Sequence, residues 1–287
     1  MTLHCLHGFL GGPHDWDEFA LSMAQALPDL AVPGSLIKAD LFGADWLPQT
    51  QTLAQWADAY CGSIAQADTQ SSPATPRYLL GYSLGGRLAL HVALQHPSLW
   101  DGVIIVGANP GLDTEEARQE RRANDALWAQ RLGTQPWDTL LAAWDAQPVF
   151  AGKPALMPPR LEADFSRARL AESLRRWSLG AQDPLWSALE RFSVPLLWIA
   201  GAEDTGQAAI CRRLQSTVPG MQLWIAPRAG HRVPWEQPQA FAARAREFIL
   251  PLTQVAFLWR CRDGVGQHGQ EDLQLKTTCR NSMNGAS

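Results

Sequence analysis

The sequence predicts an α/β fold: a mostly parallel central sheet flanked by helices, interrupted by one all-helical insertion. Three observations lead there. Short apolar runs alternate with longer stretches of helical periodicity. One of these runs, residues 102–107, is apolar throughout, as a strand covered on both faces must be. Between residue 114 and about residue 189 there is no convincing strand pattern.

The elements follow in order. Residues 3–6 read as a buried strand, and residues 14–27 as a helix carrying Trp16, Phe19, Ala20, Met23 and Leu27 on one side. A second strand is expected over 35–41. A helix over 53–64 follows, with Leu53, Trp56, Ala57, Tyr60 and Ile64 in register. Residues 70–76, rich in Ser and Pro, read as a surface loop. Strands are expected at 78–80, 101–107, 194–200 and 221–226. Helices are expected directly after residue 87 and over 207–217 and 238–250. The insertion carries helical patterns at 114–132, 136–146, 163–177 and 184–191. The implied division is 1–108 and 192–252 as the core, 109–191 as a helical cap, and 253–287 as a disordered tail, where periodicity gives way to glycine and polar residues.

Composition narrows the function. A formal charge of −4 on 287 residues provides no basic face for nucleic acid. Five widely spaced cysteines without a C-x-x-C pair read as reduced thiols of a cytoplasmic protein. No targeting segment or membrane-spanning run is seen, and no metal-ligand spacing. The expectation is a cofactor-free protein acting on a small molecule, a monomer or weak homo-oligomer, with no nucleic-acid partner and no membrane insertion.

The chemistry is concentrated at Gly81-Tyr82-Ser83-Leu84-Gly85-Gly86-Arg87, which joins the run Tyr78-Leu79-Leu80 to a helical pattern beginning at Leu88. G-x-S-x-G between a strand and a helix resembles the nucleophile elbow of α/β-hydrolases. A serine hydroxyl becomes a nucleophile or base only when an imidazole takes its proton, and a carboxylate orients that imidazole. Asp204, in a Gly-x-x-Asp loop, and His231, in Ala-Gly-His, both lie just past strands, in the chain order Ser, Asp, His that this fold uses. Glu203 is the rival acid. His7-Gly8-Phe9, after the first strand, is placed to supply an oxyanion hole from the backbone N–H groups of Phe9 and Leu84.

Further motifs are more specific than the elbow. They are Leu6-His7-Gly8-Phe9-Leu10-Gly11, Asn109-Pro110-Gly111-Leu112, the stretch from Glu120 to Asp125, Trp144-Asp145-Ala146-Gln147-Pro148-Val149-Phe150, the stretch from Leu179 to Trp186, and Pro227-Arg228-Ala229-Gly230-His231. Together they resemble the 2-succinyl-6-hydroxy-2,4-cyclohexadiene-1-carboxylate synthases of menaquinone biosynthesis, which are α/β-hydrolase-fold lyases. The likeness runs over about residues 3–250. It implies that Ser83, Asp204 and His231 form the triad, and that Tyr82, Arg87, Arg121 and Trp144 contact substrate. A third cap arginine is also implied, Arg160 or, alternatively, Arg167. The implied reaction eliminates pyruvate from 2-succinyl-5-enolpyruvyl-6-hydroxy-3-cyclohexene-1-carboxylate. Arginines suit such a polyanion because guanidinium binds carboxylate bidentately. Two features depart from the family: the chain starts at the His-Gly strand, without the first hairpin common in the fold, and the segment after 253 matches nothing in it. A carboxylesterase or C–C hydrolase, and a non-catalytic binder, are the competing readings, because the same triad serves many reactions.

Overall fold

The computed structural model describes residues 1–43, 52–68, 75–150 and 152–263, the last ten of these as backbone only. Six strands form one parallel sheet: β1 (Thr2–Leu6), β2 (Leu36–Ala39), β3 (Arg77–Tyr82), β4 (Gly102–Val106), β5 (Leu196–Gly201) and β6 (Gln222–Ala226). Their spatial order is β2-β1-β3-β4-β5-β6. Helices α1 (Asp17–Ala26), α2 (Leu53–Asp68) and α3 (Leu84–Gln95) belong to the first half of the chain. The helices α4 (Glu115–Thr134), α5 (Trp137–Asp145), α6 (Arg167–Arg176) and α7 (Trp186–Leu189) lie between β4 and β5. The helices α8 (Thr205–Thr217), α9 (Val233–Glu236) and α10 (Pro238–Asp263) complete the chain.

The apolar strand runs are explained by two cores. Along β4, Val103 and Ile105 face one core with α2, α3 and α8, while Ile104 and Val106 face the other with α1 and α10. A strand buried on both faces has no position at which a polar residue is solvated, so the period-2 alternation disappears.

Every described element between β4 and β5 is helical. The ends of this insertion are tied together near the sheet: Leu185 N donates to Pro110 O (2.8 Å), Trp186 Nε1 to Gly111 O (3.1 Å) and Arg122 Nη1 to Gly180 O (2.5 Å). Thr114 caps α4 by accepting from Ala117 N at 3.2 Å. The helix expected from residue 163 begins at Arg167, because Ser166 supplies the N-cap and Phe165 is extended; residues Glu162–Asp164 form a separate 3-10 turn.

One expectation is corrected. The closing helix was expected to end at residue 250, before Pro251, with a tail from 253; α10 instead continues to Asp263. A proline removes one backbone donor, and the helix resumes where neighbours support it. Thr253 Oγ1 donates to Ile249 O (3.1 Å) and meets Tyr78 Oη of β3 at 2.8 Å, anchoring the helix past the proline. Residues 264–287, and residues 70–74 of the polar loop, lie outside the described residues. Among the described residues no helix is long and apolar enough to cross a membrane, and no group of three metal-ligating side chains occurs. Cys5, Cys61 and Cys211 are buried free thiols.

Candidate active site

Ser83 sits between β3 and α3 with φ 53° and ψ −112°, a backbone conformation that L-residues adopt only under constraint. The constraint is tight packing. A Cβ on Gly81 would lie 2.4 Å from Gly85 O, and one on Gly85 would lie 2.3 Å from both Leu6 O and His7 O. Only glycine lets the elbow press against β1 in this way. Ser83 N donates to Val106 O (2.8 Å), fixing the turn to β4.

The three residues of the expected triad converge. His231 Nε2 lies 3.1 Å from Ser83 Oγ, and His231 Nδ1 lies 2.7 Å from Asp204 Oδ2. With Nδ1–H donating to the carboxylate, Nε2 is free to accept from the serine hydroxyl. Asp204 is also the N-cap of α8, its Oδ1 accepting from Gln207 N at 3.1 Å. The rival acid Glu203 points elsewhere: it is half exposed and pairs with Lys153 at 2.9 Å. The loop around His231 is held from both sides by Glu236, which accepts from Gly230 N (2.7 Å) and Arg232 N (3.0 Å).

On the opposite side, His7 is fully buried and neutral, its pKa lowered to about 4 by burial. It accepts from Leu41 N at Nε2 (3.0 Å) and bonds Gly8 O through Nδ1 (2.8 Å). It thereby anchors the loop that carries Phe9. Phe9 and Leu84 both line the cavity. Leu84 opens α3, so its N–H has no acceptor within the helix.

The cavity has a volume of about 250 Å³ and holds Ser83 and His231 in one wall and residues of the insertion in another. Two of the expected arginines line it, Arg87 and Arg121. Arg87 is buried, and its pKa is pushed down to about 9, first by burial and then by Arg121. It donates to Gln182 Oε1 (3.2 Å) and to Trp177 O (2.6 Å), both neutral acceptors. Arg121 Nε bonds both carboxylate oxygens of the buried Asp125 at 2.9 Å. Trp144 lines the cavity between Phe9 (ring centroids 4.7 Å apart) and Trp128 (4.9 Å).

Three expected residues are placed elsewhere. Tyr82 is not among the lining residues; its buried ring packs behind the site, against His231 (5.5 Å) and Trp235 (4.8 Å). Side chains alternate along a strand, and Tyr82 is the last residue of β3, on the face of the α1–α10 core. Arg160 pairs with Asp145 (2.5 Å) outside the lining. Its alternative, Arg167, is spent on Glu162 and on the carbonyls of Leu132 and Gln135. Sequence reasoning missed Asn109, Asp125, Gln147 and Phe150, which also line the cavity. All four fall inside stretches already singled out, and Asp125 was detectable besides as the i+4 partner of Arg121.

Comparison with known proteins accords with this geometry. The family model described as the alpha/beta hydrolase fold matches residues 2–238. The chain is 36% identical over 251 residues to the 2-succinyl-6-hydroxy-2,4-cyclohexadiene-1-carboxylate synthase of Serratia proteamaculans (strain 568), covering 85% of this chain and 91% of that protein. The solved structure of MenH from S. aureus superimposes with a TM-score of 0.73 at 23% identity, covering 88% of this chain and 94% of that one. A thermophilic esterase from Thermogutta terrifontis superimposes with a TM-score of 0.65 at 21% identity, covering 88% and 90%. At those identities the two structures bear on fold alone, whereas the sequence match bears on family. With an elbow serine, an acid–histidine pair and two arginines around one cavity, the chain belongs to the α/β-hydrolase fold family and, within it, to the 2-succinyl-6-hydroxy-2,4-cyclohexadiene-1-carboxylate synthases.

Proposed function

We propose that the protein acts in menaquinone or phylloquinone biosynthesis as a carbon–oxygen lyase. It eliminates pyruvate from 2-succinyl-5-enolpyruvyl-6-hydroxy-3-cyclohexene-1-carboxylate to give 2-succinyl-6-hydroxy-2,4-cyclohexadiene-1-carboxylate. The observation that carries this reading is Arg87, a buried guanidinium in the cavity wall whose hydrogen bonds go to neutral acceptors. Its charge is not consumed in an ion pair and is available to a substrate carboxylate. A cavity for neutral esters has no use for it, since a buried unpaired charge is costly.

In this reading Ser83 Oγ, its proton drawn toward His231 Nε2, removes a proton from a ring carbon. Asp204 holds the imidazole in the required tautomer and stabilises the cation that forms. The N–H groups of Phe9 and Leu84 stabilise the negative charge that develops on the substrate. The ring C–O bond to the enolpyruvyl group then breaks, and His231 returns its proton as pyruvate leaves. The helical insertion serves as the cap over the cavity. Arg87 and Arg121 bind carboxylates there, and Trp144 packs on the ring.

The test is pyruvate release from the enzymatically prepared cyclohexene precursor, followed by NADH oxidation in a coupled assay beside Ser83→Ala. Release well above the spontaneous rate, lost in Ser83→Ala, is expected. No excess release together with brisk hydrolysis of an activated ester would replace the lyase with a carboxylesterase.

A further inference from the structure

We propose that the ion pair between Arg232 and Asp145 is a clasp that positions His231 against the insertion's wall of the cavity. The proposal rests on the reading of His231 as the group that moves the proton. Arg232 follows His231 in the chain, and Asp145 follows Trp144; His231 and Trp144 both line the cavity. One salt bridge therefore joins the residue behind the imidazole to the residue behind the aromatic wall, across the boundary between core and insertion. Arg232 Nη2 donates to Asp145 Oδ1, and Arg160 Nη2 donates to Oδ2 of the same carboxylate at 2.5 Å.

The surroundings make this pair demanding. The Arg232 side chain is 2% exposed, and its Nε and Nη1 are buried without a hydrogen-bond partner among the described residues. Its guanidinium lies over the Phe150 ring, 3.8 Å from the centroid. Phe150 in turn meets the His231 ring edge to face at 5.8 Å and lines the cavity. Movement of Arg232 is thus passed to His231 twice, through the peptide bond and through Phe150. An apolar pair of the same shape would stabilise a fold at least as well as a buried ion pair. What the ion pair adds is a fixed direction and distance. On the other flank of His231, Lys153 of the insertion donates to Arg228 O at 2.8 Å and pairs with Glu236 at 3.3 Å. Asp145 and Arg232 are positioning residues: neither lines the cavity.

The experiment compares Asp145→Asn, Arg232→Met and the double variant with the parent protein, with kcat and KM for pyruvate release read separately and folding followed by thermal melts. Each single variant is expected to lower kcat at least tenfold with KM within threefold. The double variant leaves Arg160 without its carboxylate, as Asp145→Asn does, but removes the buried Arg232 charge, and is expected to be no slower than the slower single. Singles within twofold of the parent in kcat, losses confined to KM, or a double equal to the product of the singles would each overturn the clasp. If Asp145→Asn does not fold, Arg232→Met decides alone: a kcat loss of tenfold or more with KM within threefold supports the clasp, and a smaller loss overturns it. Absence of pyruvate release from the parent counts against the reaction reading alone. The same variants are then compared by the rate at which a fluorophosphonate phosphonylates Ser83, with the same fold-changes deciding.

Discussion

Asp204 uses its two carboxylate oxygens for two different tasks: Oδ1 accepts from Gln207 N at 3.1 Å and caps α8, while Oδ2 accepts from His231 Nδ1 at 2.7 Å. The helix cap fixes the carboxylate, and the carboxylate fixes the imidazole. Asp204→Asn is expected to lower kcat on the order of 10³–10⁴-fold, because an amide can hold the wrong tautomer. Glu203→Gln, which touches only the Lys153 side of the loop, is expected to stay within about twofold. Steady-state kinetics on the two variants separates the rival acids, and equal losses would remove the assignment of Asp204.

Arg87→Met is expected to raise KM for the polycarboxylate substrate by on the order of tenfold to a hundredfold, the range for a lost charged hydrogen bond, with a smaller change in kcat. Arg87→Lys recovers only part of this. A lysine cannot bond Trp177 O and Gln182 in the same plane while also meeting a carboxylate. Substrate saturation curves for both variants provide the check.

Ser83 carries its strain in the folded state alone. Ser83→Gly is expected to abolish activity and yet raise stability by about 1 kcal/mol, since glycine adopts φ 53° freely and offsets part of that gain through unfolded-chain entropy. For a chain of 287 residues that is a rise in Tm of about 1–2 °C. A lower Tm than the parent would mean that the elbow is not strained.

Acid is expected to unfold the protein through its buried histidines. Burial lowers the pKa of His7 to about 4, and burial with Arg77 lowers that of His4 to about 3, from an ordinary 6.5. The native state therefore binds fewer protons than the unfolded chain over this range. The stabilisation is complete above pH 6.5 and is lost as pH falls toward 4 and 3, on the order of 3–5 kcal/mol for each group. Asp15 acts in the opposite sense: burial raises its pKa from 3.8 to about 6, so its contribution is present below 3.8 and lost as pH rises through 6. The histidine contributions are the larger, and the denaturation midpoint should fall between pH 6.5 and 4. In His4→Gln the fall should be shallower. An unchanged slope would refute the buried neutral histidine.

Much of this molecule is determined by local sequence. The strands could be read because β4 and its neighbours must be apolar on both faces. The elbow could be read because Gly81 and Gly85 stand where a Cβ would strike backbone. Ser83, Asp204 and His231 could be named in advance because the ends of adjacent parallel strands converge. Tertiary structure alone decided where long side chains end up. Tyr82 adjoins the serine in sequence but lies behind the site, because strand alternation turns its ring to the other core. Arg160 and Arg232 converge on Asp145 from 15 and 87 positions away, a meeting that no local pattern encodes. The helical pattern reads as ending at residue 250, yet α10 continues because Tyr78, 175 positions distant from Thr253, holds it to the sheet. Backbone periodicity is a property of neighbouring residues. The partner of a buried charge or a frayed helix depends on what the rest of the chain brings to it.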